Sequence, residues 1–170
     1  NEIEREYWDK RQLVKKINLN SLYGAILNPG CRFFDMRIGQ SVTLTGRCIT
    51  QHMASKVNEV VTGEYDHKGE SIVYGDTDSV YFSAFKTLQK EIKEGVIPWT
   101  KDSVVALYDK IADEVNGSFK SFMTRAFHTP STRGEVIAAG RELVASKGLF
   151  ITKKRYAVLY YDKEGKRADV

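Results

Sequence analysis

Residues Ser71 to Ser83, SIVYGDTDSVYFS, constrain the fold more than any other stretch. Two apolar runs, Ile72-Val73-Tyr74 and Val80-Tyr81-Phe82, flank the polar cluster Gly75-Asp76-Thr77-Asp78. β-Branched and aromatic residues on both sides of a Gly/Asp cluster specify a β-hairpin. Gly75 is read as the residue that accepts turn angles others resist, and one Asp is explained by a bond to its own backbone. The second Asp, one residue away, is not. Two carboxylates held that close repel each other unless a cation neutralises them, and hard oxygen ligands suit magnesium or manganese rather than zinc. The pair therefore has two readings: an ordinary Asp-rich turn, or a divalent-metal site at a hairpin tip.

The 170 residues are 42% hydrophobic, which suits one globular domain with a real core. A net charge of +4 permits an anionic partner such as nucleic acid without demanding one. Cys31 and Cys48 have no CxxC pairing and no neighbouring His cluster, so neither a zinc site nor a disulfide framework is expected. His52, His67 and His128 are scattered and receive no role. No apolar run reaches the length of a membrane span. The opening NEIEREYWDKRQ is charged and helical, is no signal peptide and has no initiator Met, and it reads as an internal segment.

Asn1 to Ala25 reads as one helix, with Ile3, Tyr7, Val14 and Ile17 near helical spacing and Asn28-Pro29-Gly30 ending it. Lys16, Asn20 and Tyr23 stand at i, i+4 and i+7 and share one face, with Gly24 leaving a gap beside them. That face is either a solvated amphipathic surface or a place for a nucleotide, with phosphate at Lys16 and base or sugar against Tyr23. A second helix is expected from Ile38 to about Val61, on the stripe Ile38, Val42, Thr45, Ile49, Met53, Val57 and Val60. Gly46 within it is read as a close-packing site. The stretch from Phe85 to Trp99 carries no clear pattern.

Thr100 reads as an N-cap, and Val104, Tyr108, Ile111, Val115, Phe119, Phe122 and Ala126 mark a long helix packed on a sheet. Glu135 to Ala138, Leu149 to Ile151 and Tyr156 to Tyr161 read as strands, with Asp162 to Gly165 as a turn. Before the last strand stands Lys153-Lys154-Arg155-Tyr156. Three cations and an aromatic are either a solvated turn or a grip on a nucleic-acid backbone.

Three of these segments, in this order, resemble motifs of family B DNA polymerases. Tyr74-Gly75-Asp76-Thr77-Asp78-Ser79 is similar to the family's catalytic hairpin. KKINLNSLYGA, Lys15 to Ala25, looks like its nucleotide-contacting signature, with Asn18 where an apolar residue is usual. The Lys-Lys-Arg-Tyr run is similar to the stretch that holds the primer–template duplex. The likeness runs from about Gln12 to Gly165 and is closest to replicative polymerases of large tailed bacteriophages.

The resemblance implies an α+β fold: a polymerase palm, an antiparallel sheet with a catalytic hairpin packed on helices, plus one fingers helix. Residues 1–28 would be the end of the fingers. Residues 29–170 would be a partial palm, with the hairpin at 71–83 and the duplex-gripping strand at 146–161. It implies nucleotidyl transfer from a dNTP to a primer 3′-hydroxyl, with two Mg2+ ions, or Mn2+ in their place. Asp78 and, beside it, Asp76 would be the catalytic metal ligands. Lys16, Asn20 and Tyr23 would meet the nucleotide. Lys153, Lys154, Arg155 and Tyr156 would meet primer–template DNA. The family's first carboxylate motif, exonuclease and thumb are absent from these residues, so the chain alone is expected to be inactive and to need a complementary fragment or subunit. A cytoplasmic location follows, the host's cytoplasm for a phage protein. Two rivals share single features: a metal-dependent nucleotide-sugar glycosyltransferase with its Asp-x-Asp, and a non-catalytic nucleic-acid-binding module stacking bases on Tyr81, Phe82 and Phe85.

Overall fold

The computed structural model describes residues 1–167 and divides into two compact units, residues 1–47 and residues from 48 onward. The fold is α+β. In chain order it comprises α1 (Glu2–Ile26), α2 (Met36–Thr62), β1 (Ile72–Asp76), β2 (Ser79–Phe82), α3 (Phe85–Lys93), α4 (Lys101–Phe127), α5 (Ser131–Gly134), β3 (Leu143–Thr152), β4 (Arg155–Lys163) and β5 (Lys166–Arg167).

In the first unit, α1 is capped by the Asn1 side chain, which accepts from the Ile3 N–H. Its apolar stripe is uncovered: Ile3, Tyr7, Val14, Ile17 and Leu22 are all exposed, and no residue of the helix is buried. After the turn at 28–35, Asp35 accepts from the backbone N–H and the guanidinium of Arg37 at the start of α2. Those bonds hold the Asp35 carboxyl below its usual range. The packing glycine here is Gly39, where a Cβ would stand 2.0 Å from Leu27 Cδ2. Gly46, expected to have that role, has nothing within 4 Å of its Cβ position.

The second unit has a core built from Val57, Ala84, Ile111, Val115 and Phe119. Ile49, Met53 and Val60 of α2, Ile72 and Phe82 of the hairpin, and Leu88 of α3 pack against it. The α2 stripe is thus buried from Ile49 onward, while Ile38 and Val42 remain exposed. A second cluster, Val104, Val105 and Val144 with Trp99, Tyr108 and Tyr161, joins α4 to β3 and β4. The α4 start is a capping box in which Thr100 and Ser103 bond each other's backbone.

The expected antiparallel pairing is present as two small sheets, β1-β2 and β3-β4-β5. Three expectations about single segments are corrected. Residues 135–138 form no strand: the Glu135 and Val136 N–H groups donate to the Ser131 and Arg133 carbonyls and close α5 as a turn, and just beyond them the Asn116 side chain takes both backbone groups of Ala139, at 3.0 and 2.7 Å. The patternless stretch contains α3, with Leu88 on the core. Asp162 is not a turn residue but a buried member of β4, bonded to Arg141 at 2.6 Å, and Arg141 also binds Asp109 of α4.

Two buried polar groups tie helices to loops. Asn58, 1% exposed, accepts from the backbone N–H and hydroxyl of Ser71 at 3.2 and 2.7 Å and donates to the Glu64 carbonyl at 2.8 Å. This closes the loop that leads into the hairpin, and Gly69 leaves room for it: a Cβ there would stand 2.0 Å from Asn58 Nδ2. His52 stacks on Phe122 with ring centroids 3.9 Å apart and bonds Tyr65 and Ser118 through its two nitrogens. The Ser118 hydroxyl donates to the Val115 carbonyl, so it accepts from Nε2–H, and Nδ1 accepts from Tyr65: the ring is neutral. Burial, then the charges of Arg125 and Lys56, hold the His52 pKa below its ordinary 6.5.

Asn58→Ala strands the two buried groups of Ser71 and frees the part-buried Glu64 carbonyl, and urea unfolding is expected to show a loss of about 3 kcal/mol; a loss under about 1 kcal/mol would contradict the assignment. His52 binds a proton in the unfolded chain before it does so in the folded one. Its stabilisation is therefore complete above 6.5 and is lost as pH falls through the lower folded value. Unfolding free energies measured at about pH 7.5 and pH 5 should fall with acid, and the fall should be smaller in a His52→Gln chain.

Candidate functional site

The hairpin pairs Tyr74 with Tyr81, Gly75 with Val80 and Asp76 with Ser79, leaving Thr77 and Asp78 as a two-residue loop. Gly75 is an ordinary strand residue without positive φ, so the turn does not need it. Thr50 of α2 holds the loop by donating to the Thr77 carbonyl at 2.9 Å. Asp76 Oδ1 accepts from the Thr77 N–H at 2.9 Å and from its hydroxyl at 3.2 Å. The backbone bond from Thr77, with the charges of Lys153 and Lys154 assisting, keeps the Asp76 carboxyl below its usual range and hence charged. Asp78 is exposed at the loop.

The basic run is the two-residue loop between β3 and β4, where Thr152 pairs with Arg155. It stands beside the acidic loop. Lys153 Nζ lies 3.7 Å from Asp76 Oδ1. The Lys154 backbone N–H donates to the Tyr74 hydroxyl at 2.9 Å, and the Tyr81 and Tyr156 hydroxyls are 2.8 Å apart. The rings of Tyr74, Tyr81, Phe150 and Tyr156 form one cluster, every centroid pair between 5.2 and 5.8 Å. Burial, and then the bond to Tyr156, push the Tyr81 hydroxyl well above its ordinary value, so Tyr81 stays neutral.

The structure thus brings together Asp76, Asp78, Lys153, Lys154, Arg155 and Tyr156 within the second unit. Lys16 and Asn20 are exposed on α1 of the first unit, and Tyr23 is half-buried there. Open space surrounds Gly24 beside them. Three residues of this second-unit site carry no assignment from the sequence, Thr50, Tyr74 and Phe150, and Tyr81 carries one only as a stacking platform in the rival binding-module reading. Pairing the hairpin about its loop puts Tyr74 opposite Tyr81, a signal present in the alternation. Nothing in the sequence points to Thr50 or Phe150.

The donors at the hairpin loop are carboxylate and hydroxyl oxygens, which fit a hard divalent cation. They fit as part of a site only. Among the described residues no group of three or more His, Cys, Asp or Glu side chains is placed to hold a metal ion. Lys154 is also unusual: its φ is 64°, a left-handed conformation that favours glycine. No described helix is long and apolar enough to cross a membrane, and both cysteines are free.

The family model for DNA polymerase family B matches residues 1–126. The chain is 35% identical to a DNA-directed DNA polymerase of Escherichia phage RB69 and 32% identical to that of Enterobacteria phage T4, in each case over 92% of this chain and 18% of the relative. It is 32% identical to a DNA polymerase delta catalytic subunit of Oryza sativa, over 93% of this chain and 12% of the relative. The chain therefore spans less than a fifth of the length of these relatives. No solved structure gives a significant match.

A lysine retained where the backbone favours glycine is a test of whether the cation matters. Lys154→Gly relieves about 1–2 kcal/mol of left-handed strain and adds back about 0.5–1 kcal/mol of chain entropy. Stability is expected to hold or rise slightly, while affinity for a duplex with a recessed 3′ end falls. Thermal melting and fluorescence anisotropy measure the two; unchanged affinity would contradict a duplex-binding role for the lysine.

Proposed function

The chain belongs to DNA polymerase family B, and from that we propose that it carries the nucleotide-contacting helix and part of the palm of a polymerase that lengthens a primer by template-directed nucleotidyl transfer. The observation that carries this reading is the placement of Lys153 and Lys154 beside Asp76 at the tip of the hairpin, by elements far apart in the chain. One loop is chemically suited to a metal and the other to a phosphate backbone, and a primer end needs both at once.

In this reading residues 1–28 are the end of the fingers and 29–170 a partial palm, with the hairpin at 71–83 and the duplex-gripping strand at 146–161. Asp78 is the principal metal-holding carboxylate and Asp76 stands beside it, oriented by Thr77. Bound there, two divalent cations supply the Lewis acidity that activates the primer hydroxyl and steadies the leaving pyrophosphate. Lys16 offsets charge on the dNTP triphosphate, Tyr23 lies against the nascent pair, and Asn20 positions them. Lys153, Lys154 and Arg155 meet duplex phosphates, and Tyr156 meets the groove near the primer end.

Two carboxylates do not complete such a site, so we assign the first carboxylate to a segment outside these 170 residues. A cavity of about 660 Å³ supports this. It runs along Asp78 to Ser83 on one side and Leu143 to Gly148 on the other, over an apolar floor that includes Met53, Val57 and Val115. β2 and β3 belong to separate sheets across it. One extended strand entering the cleft would pair with both edges and bring a carboxylate to Asp78. Without it, the chain is inactive.

Neither rival gains support. Phe82 packs against the core and Phe85 meets Trp99, so these rings and Tyr81 make no common stacking platform. An Asp-x-Asp transferase leaves the basic loop beside it unexplained.

In the complete polymerase, Asp78→Asn is expected to cut primer extension by at least about a hundredfold while duplex affinity stays near that of the unaltered enzyme. Extension and gel-shift assays decide it; full synthesis by the variant would reject Asp78 as a metal ligand.

A further inference from the structure

We propose that Tyr81 is a positioning residue for the primer–template: its hydroxyl, bonded to that of Tyr156, fixes the basic loop over the acidic hairpin. This rests on the polymerase reading above. The hairpin β1-β2 and the arm β3-β4 share no backbone ladder, since they lie in different sheets. The arm is a long two-stranded ribbon with three register irregularities, and such a ribbon twists and bends at each one. Its cations therefore need a tether if they are to meet a duplex in register with Asp76 and Asp78.

The Lys153–Asp76 pair is a poor tether, because the lysine is solvated, the contact at 3.7 Å is loose, and binding either a metal or a phosphate would pull it apart. Two neutral bonds remain. Tyr74 accepts from the Lys154 backbone N–H, which fixes the loop's main chain, and Tyr81 bonds Tyr156, which fixes the side chain at the loop's foot. Neither bond is competed away by a cation or an anion. The Tyr81 ring packs against Tyr74, Phe150 and Tyr156 with or without a hydroxyl, so what the hydroxyl adds among the described residues is its bond to Tyr156, at the foot of the basic loop.

The test uses the complete polymerase with a dideoxy-terminated primer–template for binding and an extendable one for single-turnover synthesis. Tyr81→Phe is expected to weaken duplex binding about fivefold. The rate at saturating duplex and dNTP should stay within about twofold, and the melting temperature should not move, so a general loss of structure is separated from a loss of alignment. Tyr156→Phe should weaken binding similarly, and the double variant should bind no worse than the weaker single one, because both lose the same bond. The proposal is overturned if Tyr81→Phe binds as tightly as the unaltered enzyme, if it slows saturated synthesis without changing affinity, or if the two substitutions add. Lys153→Ala and Lys154→Ala separate the levels. If they weaken the duplex and Tyr81→Phe does not, the tether alone fails. If they leave binding intact, the duplex-holding reading of the loop fails with it.

Discussion

Two loops of opposite charge, far apart in the chain, meet because four aromatic rings hold their stems together, with Tyr74 bonded to Lys154 80 residues on. Everything proposed for this chain depends on that meeting. An acidic hairpin alone is a common turn. A run of Lys-Lys-Arg alone is a common surface. Placed against each other and joined by tyrosine hydroxyls, they form a surface on which a cation and a polyanion can be held at neighbouring points. The rest of the second unit serves that placement. The α2–α4 core carries the hairpin, Thr50 steadies its loop, and the Asp109–Arg141–Asp162 bridge anchors the arm to α4.

Much of this was legible in the residues. The N-cap at Thr100, the α4 stripe and the hairpin all follow local rules, and all are found. α3 has a stripe too, Phe85, Leu88 and Ile92 at i, i+3 and i+7, but the charged residues between them mask it. What no pattern could give is substitution of one interaction type for another. The turn that closes α5 takes the N–H groups of Glu135 and Val136, and Asn116 takes the place of a strand partner for Ala139, so a short β-rich run at 135–138 stays irregular. His52 becomes a core residue because two hydroxyls and a stacked ring happen to surround it. The candidate site was half visible: its charged residues follow from motif and sequence, while the tether through Tyr81 and Phe150 exists only in three dimensions.

The gap along β2 is an unpaired strand edge and the stripe of α1 an exposed apolar surface, and the chain spans less than a fifth of the relatives it matches. In the proposed reading, parts outside these residues cover both and supply the further carboxylate, because two carboxylates do not complete a divalent-metal site. The hairpin–arm contact is built into the chain itself.

That contact can be read directly with Fe2+ standing in for magnesium. In the complete polymerase bound to primer–template, Fe2+ with ascorbate and peroxide generates hydroxyl radicals at the metal, which cut the nearest backbone. Cuts are expected in the same molecule population around Thr77 and around Lys153, and competing Mg2+ should suppress both together. Cleavage at the hairpin without cleavage at the basic loop, or cleavage at neither, would contradict a shared metal-and-duplex site.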